Sequence, residues 1–153
     1  MKAATLPSAR PHRAVTIIHT LTACIALAGL GEATYLTVLA LTGETAVCGG
    51  SAGCFQVLGS AYAKIGRFPV AGLGVLAYFS VFTFATFAAF GWRQARKLLA
   101  LTVSLMFLFT LWLLGVQAFL LHAFCRYCLV SAAIVFLLTG LVVATPPSKR
   151  SSP

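Results

Sequence analysis

The chain has 153 residues, 60% of them hydrophobic and only 8% charged, far too little polar surface to cover a water-soluble globule of this size. Its formal net charge of +9 would suit nucleic acid if it formed one basic stripe. The Lys and Arg residues instead fall in short clusters between long apolar runs, which excludes a nucleic-acid surface and points to membrane topology.

A membrane-spanning helix needs about 20 mainly apolar residues, and open sheets are excluded in lipid because their backbone groups would go unpaired. Residues 1–14 form a basic N-terminal tail. It looks like the start of a signal peptide, yet the apolar run that follows exceeds the ~7–15 residues of a signal core and lacks a convincing cleavage site. It therefore reads as a retained first span over 15–42. In the loop 43–68, the opening 43–54 is glycine-rich and expected to be mobile. Val57, Leu58, Ala61, Tyr62 and Ile65 then recur at helical spacing while Gln56, Ser60 and Lys64 fall largely elsewhere, which predicts a short amphipathic helix lying at the interface as a lid. Further spans are expected over 69–90, over 98–121 after a basic turn at 91–97, and over 124–144 after a very tight turn at His122 and Ala123. The predicted fold class is an all-α membrane protein, a four-transmembrane-helix bundle over 15–144 with a short amphipathic helix in its first outer loop and a C-terminal tail at 145–153.

Lys and Arg near the span ends set the orientation. Lys2, Arg10, Arg13, Arg93, Arg96, Lys97, Lys149 and Arg150 fall on one side, against Lys64, Arg67 and Arg126 on the other. Both termini are thus expected in the cytoplasm, with the long first loop and the tight third turn outside.

Four of the five cysteines map to that outer side. Cys48 and Cys54 flank five residues in the mobile loop, and Cys125-Arg126-Tyr127-Cys128 is a C-x-x-C at the start of the fourth helix. The unpaired N–H groups and positive dipole end of a helix N-terminus stabilise a thiolate, and Arg126 adds to that effect. Since the thiolate is the attacking species in disulfide exchange, such a pair is competent near neutral pH. Two pairs make a relay, in which the mobile one moves between a water-soluble partner and the fixed one at the membrane edge. Two structural disulfides would explain the same cysteines, although a C-x-x-C closes too short a loop to stabilise much. Soft-metal binding, as in a membrane transporter, is a further alternative, but no pair lies mid-span and no metal site is expected. Cys24, among Leu21, Ala23, Ile25 and Ala28, reads as a small buried apolar residue. Glu32 is the only acid within a span, so it must be near water, protonated or paired. It is either a proton relay or a bundle-facing residue satisfied by Thr, Gln or water. His19 and Gln117 are read the same way, and His122, beside the C-x-x-C, is placed to tune it or accept a proton.

These residues resemble the vitamin K epoxide reductase family in its bacterial form. The matching pieces are Ala33-Thr34-Tyr35-Leu36-Thr37, Cys48-x5-Cys54, Val57-Leu58-Gly59-Ser60-Ala61-Tyr62-Ala63, and Pro69 followed by Gly74 and Tyr78. They end with Leu120-Leu121-His122-Ala123-Phe124-Cys125-Arg126-Tyr127-Cys128-Leu129-Val130-Ser131, so the resemblance runs from about residue 15 to 144. It implies a four-helix bundle around a quinone, ubiquinone or menaquinone, in the bacterial inner membrane. The implied activity is that of a thiol oxidoreductase, which reoxidises a thioredoxin-like (DsbA-like) periplasmic or extracellular protein acting in trans and so supports disulfide formation. By the same resemblance Cys128 lies nearest the quinone, Cys125 exchanges with the loop pair through Cys54, and Cys48 faces the partner. Ser60 matches a loop hydroxyl that anchors the lid; a helix-turn residue satisfied by backbone is the alternative. Phe55, Val57, Leu58, Tyr62, Phe68, Phe119, Phe124 and Tyr127 are expected around the quinone pocket, unless they are core packing. Two departures stand out: Arg126 replaces the proline often found between the two cysteines, and Val70 stands where animal members carry a quinone-contacting asparagine. Quinone reduction is therefore expected, rather than epoxide reduction. A DsbB-type oxidase also has two outward pairs, but in the reverse order along the chain.

Overall fold

The computed structural model describes residues 10–42, 52–66 and 68–145. Residues 43–51 of the segment expected to be mobile, Cys48 among them, most of both tails, and Arg67 lie outside the described residues, whereas 52–54, expected to be mobile as well, open a helix in which Cys54 is buried. Among those described, four helices are long and apolar enough to cross a membrane, over Arg13–Thr42, Val70–Ala89, Arg93–Leu121 and Arg126–Ala144, as the hydropathy pattern predicts.

Helix α1 (Arg10–Thr42) begins before the apolar run does. A helix leaving the hydrocarbon needs no apolar residues to continue, and Pro11 falls in the first turn, where its missing N–H breaks no helical bond. The inward stripe of α1 is His19, Thr22, Ala26, Gly29 and Ala33, all buried and spaced three or four apart. Cys24 falls off this stripe and is exposed, facing outward from the bundle instead of being buried within it. The small residues let α3 (Val70–Ala89) approach closely. A Cβ on Gly29 would run into the Tyr78 ring, and one on Gly74 would meet the Ala33 methyl at 3.4 Å. Tyr78, Val81, Ala85, Leu99, Val103, Val135 and Leu138 complete this core with Ala26 and Ala33.

Eight helical hydroxyls need no outside partner. Thr20, Thr22, Thr34, Thr37, Ser80, Thr83, Thr86 and Thr139 each donate to the carbonyl four residues back, which keeps them satisfied in lipid. Helix α4 (Arg93–Gly115) follows α3 through Phe90, Gly91 and Trp92. Gly91 supplies the positive φ of 90° that stops α3, and Trp92 stacks on Phe87 at 5.2 Å.

The lid differs from its prediction. Helix α2 covers Ala52–Leu58, a 3-10 turn covers Ala61–Ala63, and β1 (Lys64–Ile65) pairs antiparallel with β2 (Phe68–Pro69). The helical spacing of Val57 to Ile65 therefore does not continue as one helix. Gly59 ends α2, and the Ser60 hydroxyl donates back to the Val57 carbonyl at 2.7 Å, so the turn closes on itself.

Helix α4 widens at its end into a π-helical turn, Val116–Leu121. There the Gln117 carbonyl accepts the N–H groups of both His122 and Ala123. His122 takes a left-handed conformation, φ 47° and ψ 33°, and this reverses the chain into α5 (Arg126–Ala144). The turn brings the C-x-x-C to the same end of the bundle as α2.

Candidate functional site

Two buried cysteines meet where α2 rests on the α4–α5 turn. Cys54 and Cys125 are both fully buried, and their sulfurs lie 3.8 Å apart. Cys54 is disulfide-bonded, whereas Cys24, Cys125 and Cys128 carry free thiols.

Three contacts set this approach. Gly53 lets α2 lie against the turn, because a Cβ there would stand 3.0 Å from the Phe124 carbonyl oxygen. Gln56 donates its Nε2 to the Leu121 carbonyl at 3.1 Å. The Cys125 N–H donates to Gln117 Oε1 at 3.1 Å, so a buried amide fixes the residue that begins α5. Cys125 occupies the N-cap position with extended backbone, φ −95° and ψ 121°, and its sulfur faces the first N–H groups of α5.

That placement has an electrostatic consequence. The Cys125 thiol is held well below the usual thiol range, first by a hydrogen bond from the Cys128 thiol, then by the N–H groups of Cys128 and Tyr127 and the charge of Arg126. Burial opposes the shift without cancelling it. Although no full capping bond is closed, the donors still point at the sulfur and favour its anionic form. Cys125 is thus the sulfur of the pair whose surroundings favour the anion, with the Cys128 thiol as its largest donor.

Cys128 lines a cavity of about 680 Å³, which is walled by all four spanning helices and by the lid. Its wall is almost wholly apolar. The polar groups that reach it include Cys128, Ser60, Gln117, Tyr78 and Ser131. The last two are joined to each other, the Tyr78 hydroxyl lying 2.9 Å from Ser131 Oγ. An apolar cavity of this size with a few convergent polar groups is the usual form of a small-molecule site.

The residues expected around a quinone divide between two environments. Val57, Leu58 and Tyr62 line the cavity, and so does Val70. Phe55, Phe68, Phe119, Phe124 and Tyr127 do not. Phe119 is 79% exposed, on the outer side of the π-turn, and Phe55, Phe68 and Phe124 are exposed as well. Tyr127 packs against Tyr35 at 6.4 Å, with the Arg126 guanidinium 5.2 Å from its ring centre. For Phe119, Phe124 and Tyr127 the reason is rotational, since the π-turn and the left-handed His122 reset the helix phase there, whereas Phe55 and Phe68 belong to the lid and are exposed on it. Ser60 lies on the cavity wall with its hydroxyl bound in its own turn, and His122 is exposed at the reversal.

Gln56, Gln117 and Gly53 were not singled out from the sequence as the groups that position the two sulfurs. Gln117 gave a signal, since an amide inside an apolar span needs a partner, but nothing in the sequence identified that partner as the N–H of Cys125.

The sequence matches the family model described as Vitamin K epoxide reductase family over residues 20–143, a stretch that contains α2, the cavity and the C-x-x-C. The chain therefore belongs to the vitamin K epoxide reductase family and is a membrane thiol–disulfide oxidoreductase.

Proposed function

We propose that the protein carries two electrons from a reduced thioredoxin-like partner, through Cys48 and Cys54 and then Cys125 and Cys128, to a quinone in the cavity, and so supports disulfide formation outside the cytoplasm. The observation that carries this reading is the 3.8 Å separation of the Cys54 and Cys125 sulfurs, next to Cys128, which lines the cavity. Closing that gap to a bond of about 2.05 Å needs a movement of about 1.8 Å, within reach of a side-chain rotation.

The exchange runs in balanced steps. A partner thiolate attacks the Cys48–Cys54 disulfide, and the partner's second thiol then displaces the mixed disulfide, leaving the partner oxidised and the loop pair reduced. Cys54 attacks Cys125 of a Cys125–Cys128 disulfide, and Cys128 leaves with the electron pair and takes up a proton. Cys48 next attacks Cys54, re-forming the loop disulfide, and Cys125 leaves. A thiol of lowered pKa is the better leaving group, so the stabilised Cys125 thiolate favours delivery of the disulfide outward to the loop. When bound, the quinone accepts the two electrons and two protons released as the C-x-x-C closes again. Val57, Leu58 and Tyr62 from the lid and Val70 from α3 would hold its ring, and the Tyr78 and Ser131 hydroxyls would meet its oxygens.

The reading further assigns the cysteine end to the extracytoplasmic face of a bacterial inner membrane, with both termini in the cytoplasm. Impermeant maleimide on intact cells tests this, since Cys48 of a Cys54→Ser variant should label while cysteines introduced near Lys97 should not. For the chemistry, purified protein in lipid nanodiscs is mixed with reduced thioredoxin-like protein and either ubiquinone or menaquinone. Turnover is expected with the wild type and lost in Cys54→Ser, Cys125→Ser and Cys128→Ser. Full turnover in any of the three would overturn the route.

A further inference from the structure

Closing the C-x-x-C disulfide from the Cys125 thiolate and the Cys128 thiol requires the Cys128 proton to leave. That proton is released against an apolar cavity wall, away from bulk water, so a nearby base must take it. The sequence contains two acidic residues, Glu32 and Glu44, and Glu32 is the one within a span.

Glu32 is placed for this task by the packing of α1 on α3 and α5. The Tyr78 ring lies over Gly29, where no side chain intervenes. Gly29, Glu32 and Ala33 follow at helical spacing on that side of α1. The Tyr78 hydroxyl is 2.9 Å from Ser131 Oγ, and Ser131 lies three residues beyond Cys128 on the same face of α5. Glu32 is close enough to Cys125, Cys128, Tyr78 and Ser131 to interact electrostatically with each. Both carboxylate oxygens are buried, and the side-chain hydroxyl that interacts with them is that of Ser131. The Ser131 hydroxyl beside them makes its close bond to Tyr78. A buried carboxylate inside a membrane span is a functional-site hypothesis by default. Of the other ionisable groups, Lys64 on the cavity wall and Arg126 within the C-x-x-C are basic and exposed. His19 is thirteen residues away along α1, about 20 Å at the rise of a helix, and His122 is exposed at the turn.

We infer that Glu32 receives the Cys128 proton as the Cys125–Cys128 disulfide forms and passes it through the Ser131 and Tyr78 hydroxyls into the cavity. The inference rests on the proposed electron route. In balance, the Cys125 thiolate and the Cys128 thiol lose two electrons to the cavity acceptor, a quinone, and form one S–S bond. The Cys128 proton goes to the Glu32 carboxylate, and each hydroxyl takes up one proton as it releases another toward the acceptor. The acceptor's second proton comes from water, which received it when Cys125 ionised. Glu32 thereby acts on the acceptor through Ser131 and Tyr78, as a relay.

The test uses the full chain in nanodiscs, comparing wild type with Glu32→Gln. The first readout involves no quinone: the reduction potential of the Cys125/Cys128 pair is titrated against pH with glutathione buffers and mass spectrometry. The wild-type curve should bend where Glu32 titrates, and Glu32→Gln should remove that bend. The second readout is single-turnover oxidation of the pre-reduced pair by a soluble quinone analogue. Glu32→Gln should slow it by about 100-fold, the usual scale for losing a general base, and leave a rate that climbs with hydroxide. Exchange between Cys54 and Cys125, followed with oxidised protein and a partner dithiol, should be unchanged. A wild-type protein that exchanges thiols but reduces no quinone would sink the electron route, whereas the potential curve would still judge Glu32. An unchanged curve and rate in Glu32→Gln would overturn the relay. Should Glu32→Gln fail to fold, Ser131→Ala interrupts the same path, and unaltered quinone-analogue oxidation there would equally overturn it.

Discussion

Replacing Gln117 by leucine isolates the bond that holds Cys125 in place. The side chain is buried, 3% exposed, and leucine keeps nearly its volume, so the apolar packing of the π-turn should survive. What is lost is the acceptor for the Cys125 N–H at 3.1 Å, and that donor is left buried without a partner. Such a loss costs about 1–3 kcal/mol, equivalent to about 5- to 150-fold in the balance between a seated and an unseated N-terminus of α5. Because the sulfurs must close by about 1.8 Å to bond, unseating Cys125 should fall directly on exchange. The assay begins with a Cys48→Ser chain, whose Cys54 has no loop partner and should trap Cys125 as a Cys54–Cys125 disulfide under mild oxidation, read on a non-reducing gel and by peptide mass spectrometry. Adding Gln117→Leu should slow trapping by a factor in that range. If trapping proceeds at the parent rate while the N–H bond is demonstrably absent, the idea that Gln117 positions the sulfur is wrong.

The other expectations concern packing and titration. Gly53→Ala puts a methyl 3.0 Å from the Phe124 carbonyl, so α2 must lift by a few tenths of an ångström; Gly53→Val should impair the same trapping more strongly, and equal rates across the three would refute the close-approach argument. Gly29→Ala drives a methyl into the Tyr78 ring and should cost about 1–3 kcal/mol by overpacking, seen as a lower Tm in detergent, whereas Gly31→Ala, with open space around it, should not. Since the Cys125 thiol is held below the usual range, attack of reduced Cys125 on the Cys48–Cys54 disulfide, the reverse of the delivery step, should persist below the ~8.5 of a free thiol and fade as pH drops through the lowered value. Cys128→Ala removes the largest stabilising contact and should move thiolate absorbance at Cys125 to higher pH; no movement would show that the helix N-terminus and Arg126 alone account for the effect.

Much of the architecture was legible without coordinates. Span number and the sharing of one bundle end by Cys54 and the C-x-x-C follow from hydropathy and chain order, which act over local stretches of sequence. The lid was legible only in part, since its apolar spacing suggested one helix where Gly59 and Ser60 break it into a helix, a 3-10 turn and a short hairpin.

Sequence alone thus determined that this is a four-span membrane bundle carrying a C-x-x-C at a helix start, with a second cysteine-bearing segment beside it. It did so because lipid permits few backbone solutions and helix termini favour thiolates. Only the tertiary structure decided which groups meet: Cys54 with Cys125, Gln117 with the Cys125 N–H, Tyr78 with Ser131, and which aromatics face the cavity. A helix that is apolar on every side carries almost no record of its own rotation. That rotation is set by the contact of small residues such as Gly29 and Ala33 with α3, and by the π-turn that resets the phase before Cys125.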